Sequence, residues 1–257
     1  MVADVQELAR RMLADHDART PSRCFAEPLD LTTTQAYALQ SQIARLREER
    51  GEHVIGYKVG CTSAAIQQQL GISEPIFGRL FDTGCHAAGV RLSCGDYANL
   101  AVEGEFAVRL ARDLPGSPLS DEQYREAIQD IFPVIELHHF VLQSDRPSGQ
   151  ELIASNGMHA GFVFAETERR VMPGGKLGLT LCIKGASGGG NATSSTKSRP
   201  IESLRWLAGR LAEQGLHLSE GQIVLTGSPM PLFPVAPGSH VIVDATSLGQ
   251  SRAEFIE

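Results

Sequence analysis

AVEGEFAVRLA, residues 101–111, is the stretch on which the fold turns. Side chains on a strand alternate between faces with a period of two. Val102, Phe106, Val108 and Leu110 then share one face, and Glu103, Glu105, Ala107 and Arg109 share the other. The first face is a core surface; the second carries two carboxylates side by side. Such alternation predicts a half-buried strand.

Working outward, similar short β-like runs follow one another. They are 53–59 (HVIGYKV), 133–138 (PVIELH), 159–165 (HAGFVFA), 177–184 (LGLTLCIK), 222–226 (QIVLT), 240–245 and 251–256. Two helices interrupt them. One starts at Ser120 with Gln123 as capping partner; the other runs through Ile201, Leu204, Leu207 and Leu211 and stops near Gly215. Strands do not alternate regularly with helices, so the pattern predicts α+β with a largely β core, not a doubly wound sheet. The first fifty residues read as helical. Val5, Leu8 and Leu13 form an apolar stripe in one helix. Thr32 and Gln35 form a capping box ahead of Ala36, Leu39, Ile43 and Leu46 in the next. We therefore divide the chain into a helical segment, 1–52, and a β-rich unit, 53–257, acting as one functional body. The Gly/Ser/Thr-rich run 185–199 (GASGGGNATSSTKSR) predicts a loop at the rim of a site. It has no Lys-Ser/Thr after its glycines and is not a phosphate-binding loop.

Composition narrows the function classes. The chain has 257 residues, 42% hydrophobic and 21% charged, enough for one sizeable core. Its formal net charge is −7 and no basic cluster appears, which argues against nucleic acid as a partner. Five cysteines, none spaced as CxxC, argue against a zinc ribbon or a disulfide framework and for a cytoplasmic setting. No apolar run approaches a membrane span, and the N-terminus lacks the apolar core of a signal peptide.

Two carboxylates two residues apart on one strand face repel each other unless a cation lies between them. Glu136 offers a third, set between Ile135 and Leu137 in an apolar strand where an unpaired charge is costly. The pattern has two readings: a site for a hard divalent ion with oxygen ligands, or a solvated sheet face on which Arg109 pairs with the glutamates.

GYKVGCTS (56–63), VEGEFAVRLARDLPG (102–116), PVIELHHF (133–140) and VLTGS (224–228) occur in this order. Together they resemble the 2-oxopent-4-enoate hydratase and 4-oxalocrotonate decarboxylase family of the fumarylacetoacetate hydrolase superfamily. The resemblance runs from about residue 35 to the end. It implies a mixed β-sheet roll with an N-terminal helical segment. It implies Mg2+ or Mn2+ held by Glu103, Glu105 and Glu136, and an active-site lysine at Lys58. It implies a metal-dependent lyase of aromatic catabolism acting on a small 2-oxo or 2-hydroxydienoic acid, hydratase-like first. Decarboxylation or tautomerisation of a 2-oxo dicarboxylate and C–C hydrolysis of an acylpyruvate are the alternatives, and a catalytically idle ligand-binding subunit is the alternative outside enzymes. It also implies a homo-oligomer, with room for assembly with an enzyme of the same pathway.

Lys58 is the expected proton shuttle, its pKa lowered by burial and by the ion. Hydratases of this group carry an acid in P-D-(F/Y)-G, where this chain has Ile76. They carry D-N-A-S-S where this chain has Ser155, Asn156, Gly157, Met158 and His159. The metal platform is kept while part of the water-positioning equipment is changed. His159 is the expected replacement acid/base. Asn156, Thr226, Ser228 and His138 are the expected substrate contacts.

Overall fold

A computed structural model describes residues 5–19, 31–142, 146–164, 177–185, 192–228 and 230–257. Helices are α1 (Val5–Asp17), α2 (Thr33–Glu49), α3 (Ala64–Leu70), α4 (Asp121–Glu126), α5 (Gly149–Ala154) and α6 (Pro200–Glu213). Strands are β1 (Val54–Gly60), β2 (Ile76–Phe81), β3 (Cys85–Ala87), β4 (Val90–Ser93), β5 (Ala101–Leu110), β6 (Ile128–His138) and β7 (His159–Phe164). They continue with β8 (Leu177–Lys184), β9 (Ala192–Ser198), β10 (Ile223–Leu225), β11 (Phe233–Pro234), β12 (His240–Asp244) and β13 (Gln250–Ile256). The α+β class is as expected from the strand pattern.

Two mixed sheets carry the fold. The larger runs β2-β1-β10-β5-β6-β7-β3, with β11 also paired to β5; the smaller runs β4-β13-β12-β8-β9. The strand 101–111 sits at the centre of the larger sheet, antiparallel to both β10 and β6. Its alternation is realised: Val102, Phe106, Val108 and Leu110 are fully buried in the main core. Gly104, between the two glutamates, faces that core, where Val243 and Leu179 of the second sheet lie 3.1–3.3 Å from where a Cβ would sit. A larger residue there would hold the sheets apart.

The opposite face is not solvated. Beyond the glutamates it closes on a second apolar cluster of Leu80, Ala107, Phe132, Val134, Phe162, Ile223 and Leu225. Arg109 lies with its guanidinium 5.9 Å from the Phe132 ring centre, and among the described residues no ion pair joins it to a glutamate. This excludes the solvated-face reading.

The helical segment is part of the same core. Both capping boxes appear where the sequence places them, at Thr32–Gln35 and Ser120–Gln123. Gln40 on α2 donates from Nε2 to the carbonyls of Phe77 and Ile153, and its Oε1 accepts from Arg79. In α1 the buried stripe is Leu8, Ala9 and Met12, not Val5 and Leu13, and the helix packs against α2. Strands β2, β3, β4 and β11 and helices α3 and α5 escape sequence reading. Strand β2 is buried throughout and shows no alternation. Helices α3 and α5 are only seven and six residues long. The expected loop is also corrected: residues 192–198 form β9, paired antiparallel to β8. Its glycine-rich portion, 186–191, and Cys24 lie outside the described residues. Among those described, no helix is long and apolar enough to cross a membrane.

Candidate functional site

The β5–β6 register sets Glu103 directly opposite Glu136. Opposed residues share a face, so both project to the same side as Glu105. Lys58 arrives from β1, three strands away along the order β1-β10-β5-β6. On a flat sheet three strand spacings span about 14 Å. Yet Lys58 Nζ lies 2.9 Å from Glu136 Oε1, with the lysine side chain 4% and the glutamate 0% exposed. The larger sheet is therefore curled, and the curl assembles the site.

Each oxygen and nitrogen can be followed. Lys58 Nζ also donates to the Gly157 carbonyl at 3.1 Å. His159 Nδ1 bonds Glu136 Oε1 at 2.7 Å. Glu105 Oε2 accepts from the Gly227 N–H at 2.9 Å. His138 Nε2 lies 3.1 Å from Glu103 Oε1 and 3.5 Å from Glu136 Oε2. Glu136 Oε2, fully buried, has no hydrogen-bond partner among the described residues.

The charges explain the titration. Burial alone would push Glu136 up, but Lys58, His138 and His159 hold it well below the ordinary carboxylate range. Burial and the charges of Glu136 and Glu103 drive Glu105 well above that range. Burial lowers the Lys58 pKa, yet the attraction of Glu136, Glu103 and Glu105 outweighs it and the ammonium is held raised. The expected lowering is thus reversed in the protein itself; only an added cation could offset three carboxylates. His159 is lowered by burial against the opposing pull of Glu136, which keeps its ring neutral near pH 7.

A cavity of about 460 Å³ opens above this cluster. Its polar end holds Lys58, Glu103, Glu105, His138 and Ser228, and its remaining wall is mostly apolar, with Ile66, Ile76, Phe140, Met158 and Leu232 beside Thr62, Ser63 and Gln69. Cys61 is in the wall, its thiol pushed up by burial, which does not suit a nucleophile. Ser228 Oγ accepts from the Met230 N–H and keeps its own proton for a ligand.

Three expected site residues stand elsewhere. Asn156 has both ends engaged, Oδ1 accepting from the Arg79 N–H at 2.7 Å and Nδ2 donating to the Arg79 carbonyl at 2.9 Å. Thr226 Oγ1 donates to the Phe106 carbonyl at 2.8 Å and is 1% exposed. His159 and Asn156 face a smaller cavity behind the cluster, with Met12 and His16 of α1. All three brace the site from outside the main cavity. Sequence reading missed Gly157 as a lysine partner. At φ +64° it is left-handed, and a Cβ there would stand 2.7 Å from Lys58 Cε. Gly157→Ala is expected to cut turnover by about 10²-fold through displacement of the ammonium, with a loss of about 1–3 kcal/mol in stability. Turnover and melting curves measured together check this; an unchanged turnover number would show that the ammonium position is immaterial.

The residues fit a divalent ion. Three acidic side chains crowd one ammonium in a buried place, and Glu136 Oε2 lacks a partner among the described residues. Among the described residues, Glu103, Glu136 and His138 each offer a ligand atom within 4.8 Å of the others.

No protein-family model matches the chain. It is 30% identical over 229 residues to a 2-keto-4-pentenoate hydratase of Burkholderia vietnamiensis, covering 87% of this chain and 86% of that enzyme. It is 28% identical over 244 residues to a 2-hydroxyhexa-2,4-dienoate hydratase of Comamonas testosteroni, covering 93% and 92%. Among solved structures, 4-oxalocrotonate decarboxylase from Pseudomonas putida G7, complexed with magnesium and adipate, superposes with a TM-score of 0.83 at 25% identity over 98% of this chain and 97% of that one.

Proposed function

Since the chain belongs to the 2-keto-4-pentenoate hydratase and 4-oxalocrotonate decarboxylase family of the fumarylacetoacetate hydrolase superfamily, we propose that it is a divalent-metal-dependent lyase hydrating a small 2-hydroxydienoic acid. The observation that carries this reading is the buried glutamate cluster with an unpartnered oxygen, at the polar end of a mostly apolar cavity. Glu103, Glu105 and Glu136 would hold Mg2+ or Mn2+. When bound, such an ion supplies Lewis acidity towards the paired oxygens of a 2-oxo acid.

The chain's own groups then have separate tasks. Lys58 Nζ, buried beside the cavity, moves the substrate proton. Ser228 Oγ donates to the substrate carboxylate. His159 and the Gly227 N–H hold Glu136 and Glu105 in place. The apolar wall receives the hydrocarbon tail and excludes bulk water. The protein works as a homo-oligomer, which light scattering of the purified chain would check.

A second reading has an observation of its own. Ile76 and Met158 put apolar side chains on that wall at the two positions where hydratases of this group carry an acid and a serine. A distal carboxylate placed there would be desolvated, which favours loss of carbon dioxide. Products separate the two. With 2-hydroxypenta-2,4-dienoate and Mn2+, hydration consumes the dienol and one water without releasing gas. With 4-oxalocrotonate, decarboxylation releases carbon dioxide and forms the dienol. A chelator is expected to abolish either reaction; activity that persists in its presence would sink the metal-dependent reading. Turnover of neither compound, with cleavage of an acylpyruvate, would reassign the chain to C–C hydrolysis, and inactivity on all three to ligand binding.

A further inference from the structure

We propose that His138 Nε2 is itself a ligand of the divalent ion, so that the site is a mixed nitrogen–oxygen set favouring a first-row transition ion such as Mn2+ over Mg2+. This rests on the metal-site reading above and adds to it a residue type that a set of glutamates alone lacks.

Four observations converge on it. Glu136 and His138 are two apart on β6 and share a face. Glu103, opposite Glu136, then stands diagonal to His138. The His138 side chain is 4% exposed, and its Nε2 lies 3.1 Å from Glu103 Oε1 and 3.5 Å from Glu136 Oε2. Two ligands at right angles, each about 2.1 Å from an ion, stand about 3 Å apart; the observed separations suit a common ion.

The division of labour at Glu136 points the same way. Lys58 and His159 both take Oε1, at 2.9 and 2.7 Å. Oε2 is left towards His138 and Glu103 without a hydrogen bond. A plain hydrogen bond from Nε2–H to Glu103 would leave that oxygen, in a fully buried place, with only a proton held by neighbouring Glu105 to meet it. An ion among the three groups satisfies it. The imidazole lone pair at Nε2 then faces the ion and the ring proton sits on Nδ1, which is buried with no partner among the described residues. Imidazole nitrogen raises affinity for first-row transition ions far more than for magnesium or calcium, which prefer oxygen.

Pulsed electron paramagnetic resonance on the protein loaded with one equivalent of Mn2+ tests this without reference to turnover. The native chain is expected to show hyperfine coupling to a directly bound imidazole nitrogen. The coupling should persist in His159→Gln and vanish in His138→Gln. Calorimetry should show Mn2+ affinity falling about 10-fold or more in His138→Gln, and Mg2+ affinity by less than about 3-fold. Should His138→Gln fail to fold, histidine-selective 15N labelling of His159→Gln leaves His138 as the one imidazole beside these carboxylates, and the coupling must change to that of 15N. Bound Mn2+ without nitrogen coupling, or coupling that survives His138→Gln, overturns the proposal while leaving the carboxylate site standing. Failure of the native chain to bind Mn2+ or Mg2+ at all overturns the metal-site reading beneath it.

Discussion

Replacing Lys58 with methionine is expected to lower turnover about 10³-fold, the scale of a lost general acid/base, and to make stability fall more steeply with rising pH than in the parent. In the parent, Lys58 is the first attraction that overcomes burial and holds Glu136 low. Glu136 therefore stabilises the fold above the ordinary carboxylate range, and that contribution is lost as pH falls through its depressed pKa. Without the ammonium, burial is opposed only by His138 and His159, and the Glu136 pKa moves up. The variant then loses more stability than the parent as pH rises through the ordinary carboxylate range and regains it on acidification. Breaking a buried pair in this way costs about 3–5 kcal/mol near neutrality. At about 2–4 °C per kcal/mol for a chain of this size, the melting temperature should drop by about 10 °C or more. Melting curves of both proteins from pH 5 to 8 check it; parallel curves would show that the pair carries no such coupling.

Mn2+ is expected to raise the melting temperature of the native protein and to do so more at pH 8 than at pH 6. At a hundredfold excess over Kd the linkage amounts to about 2.7 kcal/mol, or about 5–10 °C. The pH dependence comes from Glu105. Burial and the neighbouring glutamates raise its pKa, so in the absence of an ion it weakens the fold as pH climbs from the ordinary carboxylate range towards its own value. A cation displaces that proton and removes the penalty, and its affinity therefore grows with pH. Glu103→Gln, which alters a partly exposed ligand while leaving the Lys58–Glu136 pair intact, should lose most of the shift. A shift that is independent of pH, or that survives this substitution, would count against the glutamate cluster as the binding place.

Much of this was legible from residue order because strand alternation is local. Residues 101–111 place Glu103 and Glu105 on one face whatever the rest of the chain does, and Glu136 with His138 follows the same rule on β6. The elements that escaped reading share a different cause. β2 is covered on both sides, so no alternation marks it, and Arg79 within it is tolerated because Gln40 and Ser41 bond its guanidinium. β9 is made of small polar residues that form a strand because β8 offers backbone partners, a context that composition does not reveal.

The sequence by itself determined the class of fold, the facing glutamates and the order of motifs that marks the family, since each depends on short-range periodicity or on residue identity. The curl of the larger sheet decided the rest. It brings Lys58 across three strands onto Glu136, buries both, and thereby reverses the expected direction of the lysine pKa. It also turns His159, Asn156 and Thr226 behind the cavity and leaves His138 facing the carboxylates. Distances between strands that are far apart in sequence are set by packing of the whole sheet, and no local pattern encodes them.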